Sequence, residues 1–136
     1  MDSSGNISLV NALDYETATS YTLALNASDG VNTTTSELII TVDDVNEAPS
    51  LSNSLAASSF AENVSTGTTI ATASASDPES QTITYSLSGT GSDNFSVDSS
   101  GNITLSSALD YETTTSYSLT LTASDGTNST SNTINI

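Results

Sequence analysis

Along much of this chain apolar and polar residues alternate one for one. In SYSLTLTAS (116–124), Tyr117, Leu119, Leu121 and Ala123 alternate with Ser and Thr, and the same order recurs as Tyr21, Leu23, Leu25 and Ala27. In TITYSLSG (82–89) the apolar set is Ile83, Tyr85 and Leu87. A period of two puts every second side chain on one face of an extended strand, so each run predicts a β-strand with one buried face. FSVD (95–98), NITL (102–105) and NTINI (132–136) predict further strands, and TTIATASA (68–75) slips phase between Ile70 and Ala73, as a β-bulge does. GTGSDN, DSSGN and SDGTN punctuate the runs, with Gly5 and Gly101 expected at hairpin positions. No run has a helical period. Short strands at regular spacing with turn signals between them predict an all-β sandwich or barrel.

The pattern also repeats at long range. DSSGNISL (2–9) returns as DSSGNITL (98–105), ALDYET (12–17) as 108–113 and ASDG (27–30) as 123–126, always 96 residues on, with 25 of the 39 positions from Asp2 to Ile40 identical. Residues 1–48 therefore read as the second half of one repeat with its linker, and 49–136 as a nearly complete repeat. The first lacks a counterpart of 50–97, and the second lacks one of TVDDVNEAP (41–49). Two expectations follow: a segment of a longer tandem array, or a building block whose incomplete ends complement each other between chains.

Charge narrows the chemistry. The 136 residues include 16 Asp and Glu and no Lys, Arg, His or Cys. Nucleic-acid binding, which rests on cationic side chains, is excluded. So are triads with a His or Lys base, thiol chemistry, disulfides and zinc sites built on His or Cys. No apolar stretch is long enough to span a bilayer and no signal peptide is visible. Paired carboxylates can cleave glycosides, but every pair here has another reading and no aromatic platform accompanies them, so an enzyme is not expected. Sixteen like charges repel one another with no internal cation to relieve them, which calls for an external one.

Where the carboxylates sit suggests which. AEN (61–63), ASDPE (75–79), LDYE (13–16 and 109–112), ASDG (27–30 and 123–126) and DVNEAP (44–49) occur in order along the whole chain. Together they resemble the motifs of the cadherin domain, particularly its bacterial cadherin-like versions. The resemblance implies a Greek-key antiparallel β-sandwich in tandem repeats, calcium bound between successive repeats, and a location outside the cell or on its surface. The chemistry agrees, because calcium takes 6–8 oxygen ligands from carboxylates, amides and carbonyls. Eleven of the 16 acids fall in these motifs. By the resemblance, Asp14 and Glu16, the linker residues Asp44, Asn46 and Glu47, and Asp77, Glu79 and Asp125 would gather at one junction. Glu62, Asp110 and Glu112 would face a second junction, and Asp29 a third.

Departures from the family pattern temper the ion count. The linker is one residue shorter than usual with one central acid fewer, which lowers the expectation to one or two ions, and Glu79 replaces an Asp. Tyr15 and Tyr111 stand where the family has Arg and are expected to pack against the sheet. Seven Asn-x-Ser/Thr sequons, at Asn6, Asn26, Asn32, Asn63, Asn94, Asn102 and Asn128, are the number a chain rich in Asn, Ser and Thr produces by chance. The function expected is a calcium-stiffened rod in a secreted or cell-surface adhesin, matrix or biofilm protein, whose partners are neighbouring repeats or a surface. The alternative is a filament subunit completed by strand exchange between identical chains. A sugar- or ice-binding face is not supported, because the TTT runs at 33–35 and 113–115 are too short.

Overall fold

The computed structural model describes residues 1–2, 4–52 and 59–136, so Ser3 of the first DSSGN motif lies outside the described residues. The chain divides into two compact units, Met1–Val45 and Asn46–Ile136. Among the described residues no helix is long and apolar enough to cross a membrane.

Unit 1 is a hairpin of β1 (Ser20–Ser28) and β2 (Thr33–Thr41), preceded by irregular chain. The strands pair antiparallel with Tyr21 opposite Ile40 and Leu23 opposite Leu38. The turn is closed by Asp29, whose carboxylate accepts the N–H groups of Val31 (2.9 Å) and Asn32 (2.6 Å). No described residue of this unit is fully buried.

Unit 2 contains β3 (Ser50–Leu51), β4 (Thr69–Thr72), β5 (Ala75–Ser76), β6 (Thr84–Thr90), a 3-10 turn (Ser92–Asn94), β7 (Phe95–Val97), β8 (Asn102–Leu105), β9 (Ser118–Ser124) and β10 (Ser129–Asn135). Its sheets are β10–β9–β6, β4–β8–β7 and the short pair β3–β5, all antiparallel. The chain changes sheet between β6 and β7 and again between β8 and β9, which makes a sandwich. Apolar faces of both sheets meet in one core that includes Leu51, Phe95, Ile103, Leu105, Tyr117, Leu119, Leu121 and Ile134. Phe95 and Tyr117 meet edge to face, 5.4 Å between ring centres. Each such aliphatic side chain contributes about 1.5–3 kcal/mol by leaving water. The phase slip expected between Ile70 and Ala73 has its counterpart slightly earlier, as a register shift between Thr69 and Ala71 where β4 pairs with β8.

The two copies of the repeat fold under different conditions. Leu105 is 1% exposed while its twin Leu9 is 65% exposed, and Leu119 is 0% exposed against 37% for Leu23. NITL (102–105) is a strand held between β4 and β7; NISL (6–9), one residue different, has neither neighbour and is not a strand. The difference is tertiary, since a β-strand needs a ladder partner as well as a propensity.

Gly101 shows how tightly unit 2 closes. It turns the β7–β8 hairpin at φ +81°, and an added Cβ would lie 2.4 Å from the Ala73 carbonyl oxygen. Its twin Gly5 has φ +85° with nothing within 4 Å. A left-handed conformation costs a non-glycine residue roughly 1–2 kcal/mol. Gly5→Ala is therefore expected to cost about that in its own turn and leave unit 2 unchanged, whereas Gly101→Ala adds a backbone collision to the same cost. Urea denaturation followed by tyrosine fluorescence separates the two, and equal effects on unit 2 would contradict the packing.

Candidate metal centre

The motif acids of unit 2 collect at the two ends of β9, whereas Asp93 and Asp98 lie in the turns before and after β7. Asp125 directly follows this strand, and Asp110 and Glu112 lie in the connection that precedes it. Seven extended residues at about 3.3 Å each separate the two groups by on the order of 20 Å.

At the Asp125 end, Asn46 ties three loops together. Its side-chain NH2 donates to Asp125 Oδ2 (2.8 Å), its side-chain oxygen accepts from Gln81 Nε2, and its backbone carbonyl accepts from Asn128 Nδ2 (2.8 Å). Asp125 Oδ1 accepts the N–H groups of Thr127 and Asn128, both at 2.6 Å. Glu47 donates its backbone N–H to Glu79 Oε1 (3.4 Å), and an oxygen of each of these two carboxylates lies within 4.8 Å of the other. Asp77 Oδ1 accepts the Gln81 N–H (2.9 Å). Asp77 Oδ2 and Glu79 Oε2 are buried with no hydrogen-bond donor among the described residues.

A buried carboxylate oxygen without a donor is costly, and two of them beside further carboxylates concentrate negative charge with nothing opposite. A hydrogen bond with the neighbouring Glu47 side chain is the largest influence holding the Glu79 carboxyl below its ordinary value, against the opposing pull of burial. Burial pushes the Asp125 carboxyl up, but the N–H groups of Thr127 and Asn128 and the Asn46 amide together outweigh it, so Asp125 also titrates low. Both groups are therefore anionic at neutral pH. Carboxylate, amide and carbonyl oxygens in this density form the donor set of a hard divalent cation, with calcium favoured by the irregular geometry.

At the other end, oxygens of Glu62, Asp110 and Glu112 lie within 4.8 Å of one another, all on exposed residues. Glu62 Oε2 accepts the Tyr111 N–H (2.9 Å), which draws the two segments together across 49 residues of chain. Asp110 also caps its own turn, accepting from the Thr113 N–H (3.1 Å) and hydroxyl (2.8 Å). Asp14 does the same for Thr17, both bonds at 3.0 Å, and these hold its carboxyl below the ordinary value. Tyr111 does not pack against the sheet as expected: it is 63% exposed, because its turn carries it outward past Glu62. Tyr15 is half-buried.

The structure thus brings Asn46, Glu47, Asp77, Glu79 and Asp125 to one end of unit 2 and Glu62, Asp110 and Glu112 to the other. Asp14, Glu16, Asp29 and Asp44 stand on unit 1, all exposed. Sequence reasoning missed Gln81 and Asn128. A signal for the second was present, because ASDGVN and ASDGTN repeat the Asn as faithfully as the Asp. Sequon asparagines also have structural work: the side-chain amides of Asn6, Asn102 and Asn128 donate to Asp2, Asp98 and the Asn46 carbonyl, and the side-chain oxygen of Asn26 accepts from the Thr35 hydroxyl.

Comparison with known proteins agrees with this geometry. Residues 57–136 match the model of the cadherin domain. The chain is 34% identical over 133 residues to mouse Protocadherin Fat 4, covering 92% of this chain and 3% of that protein. It is 39% identical over 128 residues to chimpanzee Protocadherin gamma-B5, covering 88% of this chain and 14% of that protein. Among solved structures it superimposes on Protocadherin Gamma C5 EC1-3 with a TM-score of 0.70 at 28% identity, covering 90% of this chain and 44% of that one. These curated relatives are animal proteins, so they carry the family and not its bacterial branch. Domains of the family are extracellular modules of cell-surface adhesion proteins and are not enzymes. With the family model spanning 80 of its 136 residues, and an all-β antiparallel sandwich beneath it, this chain belongs to the cadherin domain family.

Proposed function

We propose that this chain is a calcium-binding stretch of cadherin repeats that stiffens a secreted or cell-surface adhesin or matrix protein. The observation that carries the reading is the pair of buried, donor-less oxygens Asp77 Oδ2 and Glu79 Oε2. On this reading Asn46, Glu47, Asp77, Glu79 and Asp125 hold calcium at one end of unit 2, and Glu62, Asp110 and Glu112 at the other. The family's habit of placing calcium between repeats assigns Asp14, Glu16 and Asp44 of the first repeat to the former ions, and Asp29 to a further junction. It also puts the division between repeats at the linker, 1–48 and 49–136. Bound calcium neutralises carboxylates that otherwise repel, so the string is slack without the ion and stiff with it. Extracellular calcium modules bind at about 10⁻⁴ to 10⁻³ M, which confines stiffening to the outside of the cell.

A filament built by strand exchange has less behind it. The chain owns one set of residues 50–97, and in unit 2 the described strands of that set already cover 98–136. Lending them to a neighbour opens as much core as it closes.

Calcium titration at several pH values tests the ligand assignment. Ligands must be deprotonated to bind. Because Asp125 and Glu79 titrate below their ordinary values, affinity is expected to hold nearly constant from neutral pH down to about pH 5 and to fall steeply below about pH 4. The sign is that of depressed carboxylates: what their charged form contributes persists above the unfolded pKa and is lost as pH falls through the folded one. Affinity already lost between pH 7 and 6 would point to other groups.

A further inference from the structure

Asp77 and Glu79 each keep a carboxylate oxygen without a donor among the described residues, but Asp125 has both of its oxygens occupied. Oδ1 takes the N–H groups of Thr127 and Asn128, and Oδ2 takes the Asn46 side-chain NH2 at 2.8 Å. The same NH2 donates to the Glu47 carbonyl oxygen at 3.2 Å. Asn46 thus presents a nitrogen to two oxygens, while its own side-chain oxygen accepts from Gln81 Nε2. The backbones behind both amides are tied down. Asn128 Nδ2 bonds the Asn46 carbonyl at 2.8 Å, and the Gln81 N–H is fixed on Asp77 Oδ1 at 2.9 Å. A side-chain amide keeps nearly the same shape after a half-turn of its terminal torsion, but its donor and acceptor trade places. Without a cation the present orientation is favoured, because the half-turn sets the Asn46 oxygen against the Asp125 and Glu47 oxygens. With a divalent cation the preference inverts. The turned amide gathers three oxygens, from Asn46, Glu47 and Asp125, of the amide, carbonyl and carboxylate types that calcium takes.

Resting on the calcium reading above, we propose that Asn46 and Gln81 form a coupled two-state amide pair that turns in step when the cation binds. In the cation-free state Asn46 donates to Asp125 and Glu47, and Gln81 donates to Asn46. In the calcium state both amides are turned, so Asn46 offers its oxygen beside Asp125 and donates its NH2 to the Gln81 side-chain oxygen. Gln81 is a positioning residue, acting on the ion through Asn46. If Asn46 turned alone, its NH2 would face the Gln81 NH2, donor against donor. Residue 81 must therefore accept in one state and donate in the other, which a Gln does and a carboxylate or an ammonium does not. The bond from Asn128 holds the Asn46 backbone throughout, so the change is a rotation of two side chains and not a rearrangement of the chain around them.

The test is NMR of the side-chain amides of the full chain, in EDTA and in millimolar calcium, beside a calorimetric calcium titration. In EDTA the Asn46 NH2 protons are expected to show cross-peaks to the Asp125 methylene, and in calcium these pass to the Gln81 side chain. Gln81→Glu leaves a residue that accepts only, so its Asn46 amide should stand in the calcium arrangement already in EDTA. That readout needs no calcium. Gln81→Met keeps the length but neither donates nor accepts, and is expected to weaken calcium binding roughly tenfold, as loss of an outer-shell partner does. Because Gln81 is exposed, the same change should leave the EDTA melting curve level. A merely structural Gln81 would lower that curve and leave the Asn46 cross-peaks of Gln81→Glu where they were. Calcium bound with the Asn46 cross-peaks still on Asp125 overturns the pair and leaves the calcium reading standing. So does a Gln81→Glu chain with the EDTA pattern of the unmodified one, whereas absence of any calcium binding overturns both.

Discussion

Millimolar calcium should raise the melting temperature of unit 2 by roughly 10–20 °C over EDTA at equal ionic strength. A ligand that binds only the folded state at a hundred times its dissociation constant adds about 2.7 kcal/mol. For a domain of 60–100 residues each kcal/mol moves the midpoint by about 4–8 °C. The unfolded chain spreads Glu47, Asp77, Glu79 and Asp125 across 79 residues of sequence, so it has no comparable site to compete. Magnesium should do much less, because it demands near-ideal octahedral geometry and gives up its waters reluctantly. Asp77→Asn is the sharper variant. It keeps the size of the side chain and an oxygen for the Gln81 N–H, but removes the charge from a buried oxygen that has no donor. It should leave the EDTA melting curve level or slightly higher and remove most of the calcium increment. Superimposable curves in EDTA and calcium for the unmodified chain would end the calcium reading and leave the carboxylates as a solubility device.

Period-two alternation located β1, β6, β7, β8, β9 and the end of β10, and with a phase slip β4, and the turn signals located the hairpins, because both depend only on near neighbours. It passed over β2, whose inward positions run Thr34, Ser36, Leu38, Ile40 and so look polar for half their length. It also passed over β3 and β5, two residues each, which are strands only because they find each other. The fate of NISL against NITL lay outside its reach altogether, since the deciding neighbours are far away in sequence. The site divides the same way. Acids concentrated in ordered motifs pointed to oxygen ligation, and Glu47 with Glu79 and Glu62 with Asp110 and Glu112 do converge. The amides that fix Asn46, from Gln81 and Asn128, were hidden among many similar polar residues, because only packing distinguishes a structural amide from a solvated one.

Leu119→Ala and Leu23→Ala make the same change at equivalent positions of the two repeats and should have very different consequences. Leu119 is wholly buried between the sheets of unit 2, whereas Leu23 is more than a third exposed on a hairpin with nothing above it. Truncating a buried Leu loses its transfer energy and leaves a cavity, about 2–5 kcal/mol together. At a urea slope of about 1–3 kcal/mol per molar, that lowers the midpoint of unit 2 by on the order of 1–2 M. Leu23→Ala should cost about 0.5 kcal/mol or less, as an exposed position does, and should not move the unit 2 midpoint. The comparison holds local sequence nearly constant, so the difference measures what the strands of residues 50–97 contribute to the core. A Leu23→Ala cost as large as that of Leu119→Ala would mean that the face of unit 1 is already covered in solution.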